Sequence, residues 1–295
     1  MNYYTEIKNK LINNEIYARV KDYSKERNRL LTYYEVGKLL SEAGKHYGEG
    51  IIKDYSQKLT MELGKGYSKR NLWLMLRFYI VSQKVQTMSA QLTWSHYVEI
   101  ISIKELEEIV YYINITQDLK LSVRNLRERI KNKEYERLPK EAKKKRTTNE
   151  KTSVEELIKN PIIIRNNNNY EVISEKVLQK LILEDIESFM KELGNSFCFI
   201  GSEYKIRIGN KYNYIDLLLF NYEFNCFVVI ELKVTKLKKE HIGQIHIYMN
   251  YIDNNIKKKF HDKTIGIIVC KKNNQFILEY CSDKRIMSRE FKIML

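Results

Sequence analysis

The chain has 295 residues, 43% of them apolar and 30% charged, with a formal net charge of +15 and a pI near 9.4. It is long enough for two domains with cores of their own, and it shows no N-terminal apolar segment and no run of 18 apolar residues, which speaks against secretion and membrane spanning and for the cytoplasm. A chain this basic calls for a polyanionic partner, and nucleic acid is the first candidate.

The N-terminal part reads as all helix. Residues 33–40, 51–63 and 72–81 each carry apolar side chains at three- and four-residue spacing. Gly64 and Gly66 separate the second stretch from the third, and Ser68 stands where an N-cap is wanted. A helix, a short glycine-bearing turn and a second helix is the helix-turn-helix outline. The second helix opens on Lys69, Arg70 and Asn71, side-chain types that reach phosphates or base edges from the start of a recognition helix. Ser95 and Ser122 read as further N-caps, and Trp73 and Trp94 as core anchors. Arg124, Arg127, Arg129 and the stretch 131–146 form a basic seam suited to phosphate contact.

Pro139 and Pro161 are the only prolines, and the polar, basic sequence between them reads as a linker. The expected division is a helical domain over 1–138, a linker over 139–160 and a second domain over 161–295. In the second domain the period changes. An amphipathic helix is expected over 175–193, ended by Gly194. Strands follow over 196–201, 203–208, 212–220 and 225–233, then a helix over 239–252 and a strand over 264–270. That order is α/β.

Cys198, Cys226, Cys270 and Cys281 form no C-x-x-C pair, and three of them lie in apolar, strand-like runs. They read as buried thiols, not as a disulfide or zinc framework. His241 and His246 are five apart on a helix, a poor spacing for sharing a face, so metal ligation by them is not expected.

The chemistry concentrates in residues 212–233, YNYIDLLLFNYEFNCFVVIELK. Residues 227–230 are an unbroken apolar run, the mark of a strand covered on both faces. At its end stand Glu231 and Lys233, two apart and so on one face, with Leu232 turned the other way. A hairpin sets Asp216 beside them. Charges at the end of a buried strand are costly unless paired or bound to metal. Two carboxylates and an ammonium on one sheet edge make a layout for holding a divalent cation and an attacking water, the chemistry of phosphodiester cleavage.

Asp216 followed by Glu231-x-Lys233 resembles the PD-(D/E)xK signature, with Ile-Asp in place of Pro-Asp. The flanking FIGSEYKIRIGNKYNYIDLLLFNYEFNCFVVIELK and HIGQIHIYMNYID resemble the YhcG-like family of PD-(D/E)xK nucleases. LTYYEVGKLL, GKGYSKRNLWLMLRFY, LTWSHYVEII and LSVRNLRERI resemble that family's N-terminal helical domain, so the likeness runs from about residue 28 to about residue 270. Glu203 departs from it, where a glutamine is expected, and leaves the role of that position open.

The resemblance implies a restriction-endonuclease-like α/β domain behind an all-α, helix-turn-helix-like domain. It implies a third acid from the leading helix, for which Glu184 is the candidate. It also implies a polar residue on the helix after the triplet, for which Gln244 is the candidate. Asp216, Glu231 and Glu184 are then expected to hold Mg²⁺ or Mn²⁺, since hard oxygen ligands suit those ions better than zinc. Lys233 is expected to orient the attacking water or offset charge, and Lys236, Lys238 and Lys239 to grip the DNA backbone. The expected function is a metal-dependent DNA endonuclease with DNA as partner and no membrane. Double-strand cutters are often dimers, which leaves a homodimer open. The alternative is a DNA-binding or assembly module whose nuclease site is idle.

Overall fold

The computed structural model describes residues 2–19, 25–48, 50–85, 91–139, 142–143, 154–281 and 283–294. Its contacts divide the chain into two compact units, Met1–Tyr135 and Glu136–Leu295.

The first unit is helical: α1 (Tyr3–Arg19), α2 (Lys25–Tyr47), α3 (Ile51–Leu63), α4 (Lys69–Val85), α5 (Trp94–Ile100), α6 (Leu106–Asp118) and α7 (Val123–Lys131), with α8 (Glu134–Arg137) at the boundary. Ile7, Leu11, Leu40, Leu59 and Leu72 are fully buried at its centre. On α2, a Cβ at Gly37 would lie 2.2 Å from the carbonyl oxygen of Met75 on α4, so the two helices meet backbone to backbone there. A turn of 3₁₀ helix, Lys65–Tyr67, joins α3 to α4. The Ser68 hydroxyl accepts the Asn71 N–H at 3.4 Å, and the Asn71 amide donates to the Gly66 carbonyl at 2.8 Å.

Two expectations change here. Thr93, not Ser95, caps α5, pairing with His96 in a capping box; Ser95 lies inside the first turn. Ser122 does cap α7, accepting the Asn125 N–H at 3.2 Å. Trp94 packs edge-on against Tyr33 and Phe78, but Trp73 is 46% exposed. The buried face of α4 is taken by Leu72, Leu74, Met75, Phe78 and Val81, which leaves Trp73 on the solvent side.

The second unit contains α9 (Val154–Leu157), β1 (Ile162–Arg165), α10 (Glu175–Glu184), α11 (Ile186–Leu193), β2 (Phe197–Ile208), β3 (Lys211–Asn221), β4 (Cys226–Lys236), α12 (Lys239–Asn255), β5 (Asp262–Lys272), α13 (Gln275–Glu279) and β6 (Ile286–Met294). One six-stranded sheet runs in the order β1-β6-β5-β4-β3-β2. The β2–β3–β4 pairings are antiparallel, and β4–β5, β5–β6 and β6–β1 are parallel. Leu178, Leu181, Phe189 and Leu193 of α10 and α11 cover one face, against Leu217, Val228, Ile230 and Leu232. Ile245, Tyr248, Met249 and Ile252 of α12 cover the other, against Leu218, Val229 and Ile268. On β5, a Cβ at Gly266 would meet Met249 Sδ at 2.6 Å and Ile245 Cδ1 at 2.9 Å, so the bare backbone there lets α12 lie close on the sheet.

The linker expectation is corrected in part. Residues 140–141 and 144–153, which include the end of the basic seam, lie outside the described residues. Residues 154–160, however, belong to the second unit: Val154 and Ile158 are buried in its core. Arg137 joins them through Glu192, whose carboxylate accepts from the Arg137 guanidinium, from the Ile163 N–H at 3.0 Å and from Lys159 Nζ at 3.5 Å. A buried carboxylate shared by two cations holds the chain near residue 160 onto α11.

Two predicted elements take different form. The helix expected over 175–193 breaks at Asp185 (φ −133°), whose side chain accepts the Ser188 N–H and so starts α11 anew. Gly194 ends it as expected, at φ +128°. The strands expected over 196–201 and 203–208 are one strand, β2, distorted between Phe199 and Gly201 and again at Glu203, where φ is +46°. Opposite Glu203, β3 changes faces: Ile215 packs with Leu218 under α12, while Leu217 packs with Leu219 under α10. Asp216 sits at this kink, which is how an acid occurs within an apolar strand.

Candidate active site

The register Leu217↔Ile230 brings Asp216 of β3 alongside Glu231 of β4. Asp216 is fixed from two sides. Its Oδ2 accepts the Leu232 N–H at 2.8 Å, and its main-chain carbonyl accepts the Gln179 amide of α10 at 3.1 Å. Glu231 is only 1% exposed. Lys233 Nζ lies 3.5 Å from Glu231 Oε2 and 3.5 Å from Glu175 Oε2. Glu175 is the first residue of α10, whose N-cap Ser174 accepts the Val177 N–H.

The electrostatics follow from burial. Desolvation and the neighbouring Asp216 push the Glu231 carboxyl up to about 8, against the opposing pull of Lys233. Burial also raises Asp216, opposed by the Leu232 N–H and Lys233 and supported by the negative charges of Glu175 and Glu203. Burial lowers Lys233, but Glu231, Glu175 and Asp216 outweigh it and the ammonium is held above its ordinary value. Three acids thus share one cation, with Glu231 the most buried of them.

The residues fit a divalent ion. Among the described residues, the buried Glu231 Oε1 has no hydrogen-bond partner. Such an oxygen costs on the order of 1–3 kcal/mol or more unless something cationic meets it. Among the described residues no group of three or more His, Cys, Asp or Glu side chains gathers as a metal cage. A pair of carboxylate ligands suits Mg²⁺, which keeps much of its hydration, better than it suits zinc.

The other expected site residues are placed as follows. Glu184 lies at the far end of α10, about 13 Å of helix rise from Glu175. There it accepts from Asn168 at 2.6 Å and faces Lys180 at 3.8 Å. The acid that α10 brings to the triplet is therefore Glu175. Gln244 is half-buried on α12 and donates to the Tyr248 hydroxyl at 3.2 Å. Lys236, Lys238 and Lys239 are exposed around the start of α12. Lys69 and Arg70 are exposed at the start of α4, while Asn71 is half-buried and engaged in its own turn. Glu203 is exposed and lines an open groove with Lys176, Gln179, Lys180 and Glu184. Of the thiols, Cys226 and Cys270 are buried, Cys281 is partly buried, and Cys198 is exposed on the edge strand β2.

Glu175, Gln179 and His241 were not read from the sequence as site residues. Burial and the Lys233 ammonium hold the His241 imidazole below its ordinary pKa, and its Nδ1 accepts the Lys238 N–H at 3.3 Å at the start of α12. The signal for Glu175 was its place directly after the N-cap Ser174, which orients it but names no partner 58 residues away.

A mixed sheet with helices on both faces, and an Asp–Glu–Lys triplet on its central hairpin, defines a nuclease domain of the PD-(D/E)xK type. Residues 155–295 match the family model described as "YhcG PDDEXK nuclease domain", and residues 10–137 match the "DUF1016 N-terminal domain". With both of its domains matched, the chain belongs to the YhcG-like family of PD-(D/E)xK nucleases. A relative described as "Putative nuclease YhcG", from Escherichia coli (strain K12), is 26% identical over 90% of this chain and 83% of its own. Two solved structures match part of this chain. A repair endonuclease from Pyrococcus abyssi is 20% identical, with a TM-score of 0.29 over 43% of this chain and 48% of its own. The EndoMS–dsDNA2 complex is 21% identical, also with a TM-score of 0.29, over 43% and 48%. The chain thus matches about half the length of these solved structures, and the family matches, not these superpositions, identify the domain.

Proposed function

We propose that the protein is a Mg²⁺- or Mn²⁺-dependent DNA endonuclease, directed to DNA by its N-terminal helical unit. The observation that carries the reading is the buried Oε1 of Glu231, which has no partner among the described residues, beside Asp216 and with the Lys233 ammonium 3.5 Å from the other oxygen of the same carboxylate. When bound, the divalent ion supplies neutralisation of phosphate charge and a more acidic water. Asp216 and Glu231 would hold it, and the Leu232 N–H, bonded to Asp216 Oδ2, fixes that acid at the strand beside Glu231. Lys233 offsets the carboxylate repulsion and presents positive charge to the phosphate as negative charge builds in the transition state. Gln244 stands one helical turn into α12, suited to a polar contact with substrate.

Lys236, Lys238 and Lys239 would hold the backbone around the cut. On the first unit, Lys69, Arg70 and the exposed Trp73 form a basic and aromatic face at the start of α4. That is a fitting surface for phosphate contact and stacking. The basic balance of the whole chain supports a polyanionic substrate; the proposed place of work is the cytoplasm, and a homodimer is the form suited to cutting both strands. Among the described residues no helix is long and apolar enough to cross a membrane.

The test is cleavage of linear, supercoiled, nicked and branched DNA with Mg²⁺ or Mn²⁺ against EDTA, run beside the Asp216→Ala/Glu231→Ala double variant. Cleavage that needs the metal and both acids supports the reading. Absence of cleavage from the unaltered protein on every DNA form overturns it.

A further inference from the structure

Beyond the catalytic triplet, the carboxyl edge of the parallel strands holds a cavity of about 400 Å³, lined by Asn160, Lys236, Asn273, Asn274, Phe276 and Glu290. That size lies within the range of small-ligand sites. Three of these side chains are locked by the backbone through one polar atom each. Asn160 Oδ1 accepts the Glu290 N–H at 2.9 Å. Glu290 Oε1 accepts the Asn273 N–H at 2.8 Å. Asn273 Oδ1 accepts the Asn274 N–H at 2.7 Å and the Ser288 hydroxyl. Each lock leaves the other polar atom of that side chain without a partner among the described residues: two amide Nδ2 donors and one carboxylate Oε2 acceptor. Beside them stand the Lys236 ammonium and the Phe276 ring, 73% exposed at the rim.

Oriented donors next to an acceptor, under an open aromatic ring, match the edge and face of a nucleobase. Every base carries a donor beside an acceptor on its Watson–Crick edge, and in a duplex that edge is already occupied. The chemistry therefore selects an unpaired base without selecting its identity. The location suits it as well: Lys236 is three residues beyond Lys233 on β4, about 10 Å along the strand. That is about three stacked nucleotides at 3.4 Å each.

We propose that this cavity binds one unpaired nucleobase of the substrate strand, about three nucleotides from the phosphate that is cut, and so makes DNA with a single-stranded segment the preferred substrate. The inference rests on the nuclease reading for its substrate, but its main test does not need cleavage. Glu290→Gln keeps the oxygen that accepts the Asn273 N–H and replaces the free acceptor by a donor. Phe276→Ala removes an exposed ring on which no packing depends.

The full-length protein in EDTA is titrated into two DNAs carrying 2-aminopurine, one within a single-stranded arm one to six nucleotides from a duplex junction, one inside a full duplex. The expected result is a saturable fluorescence change for the unpaired base alone, abolished by Phe276→Ala and weakened about tenfold by Glu290→Gln. The melting temperature of both variants should stay at that of the unaltered protein. With Mg²⁺, the same variants should lower cleavage of the armed DNA about tenfold and leave that of plain duplex in place. An equal response from paired and unpaired 2-aminopurine, or an unchanged response from both variants, overturns the proposal. If no DNA is cut at all, the nuclease reading fails, while the fluorescence still decides the cavity.

Discussion

The Asp216 carboxylate accepts the backbone N–H of Leu232 at 2.8 Å, from one strand of the central hairpin to the next. That bond holds the acid beside Glu231 with no cation present, so the two carboxylates are preset and their repulsion is built in. Alanine at Asp216 or at Glu231 should lower Mg²⁺-dependent cleavage by about a thousandfold, roughly 4 kcal/mol of transition-state stabilisation. Lys233→Ala should lose less. DNA affinity should stay within a few-fold in all three, measured by binding in Ca²⁺. Full cleavage by the double alanine variant would falsify the site.

The raised pKa of Glu231 has a sign that can be worked through. Between the ordinary glutamate value of 4.5 and about 8, the folded protein without metal binds more protons at this group than the unfolded chain does. Its stability in EDTA therefore falls as pH rises across that window. Glu231→Gln should flatten this slope and raise the melting temperature at pH 8 and above. Cation binding displaces the proton, so Mg²⁺ affinity should climb with pH up to about 8 and then level. An equal slope in the unaltered and Glu231→Gln proteins would sink the assignment.

Glu175 and Glu184 offer a comparison within one helix. Glu175→Gln removes a carboxylate 3.5 Å from Lys233 and should change cleavage several-fold and shift its pH profile, because Lys233 loses one of the charges that hold its proton. Glu184→Gln, at the other end of α10, should leave both unchanged. The reverse pattern would return the third acid to Glu184.

Gly37 tests whether the two units are independent. A methyl group there would meet the Met75 carbonyl at 2.2 Å, so Gly37→Ala must push α2 and α4 apart or fail to fold. The expected result is about 2 kcal/mol or more lost from the first unit, with the melting of an isolated 136–295 fragment as the reference for the second. One shared, shifted transition would contradict independence.

DNA binding by the first unit should be seen in a 1–135 fragment, with affinity falling as salt rises because phosphate contacts release counterions. Charge reversal at Lys69 and Arg70 should weaken it about tenfold and reduce the salt slope. A fragment without affinity even at low salt would make this unit a protein-interaction platform instead.

The triplet was legible because its signals are local: an apolar run for burial, and a two-residue spacing for a shared face. The ends of helices were legible where a glycine or serine does one job, as at Gly194 and Ser122. Other parts were written in contacts that spacing does not carry. The sequence LILEDIESFM keeps helical periodicity through Asp185, and only the capping bond to Ser188 shows the break. Strand β6 was missed because Arg289 and Glu290 interrupt its apolar pattern. Arg289 is absorbed by the main-chain carbonyls of Glu155 and Ile158, about 130 residues earlier, while the Glu290 carboxylate accepts the Asn273 N–H. Glu175 was passed over for Glu184 since nothing in a helix's sequence says which of its ends meets a hairpin 40 residues on.

Gly266 carries no functional group, yet it sets how far α12 stands from the sheet, through the bare space that Ile245 and Met249 occupy. The same helix carries His241 and Gln244 on its first turns. Any side chain at Gly266 would act as a shim, lifting that end of α12 away from Lys233 while leaving every reactive atom in the chain as it was. A displacement of 1 Å in such positioning can cost about a hundredfold in rate. The spacing between the triplet and the face of α12 that carries His241 and Gln244 is thus tunable from a position with no functional group of its own, and variation there should alter the proposed turnover while the triplet stays intact.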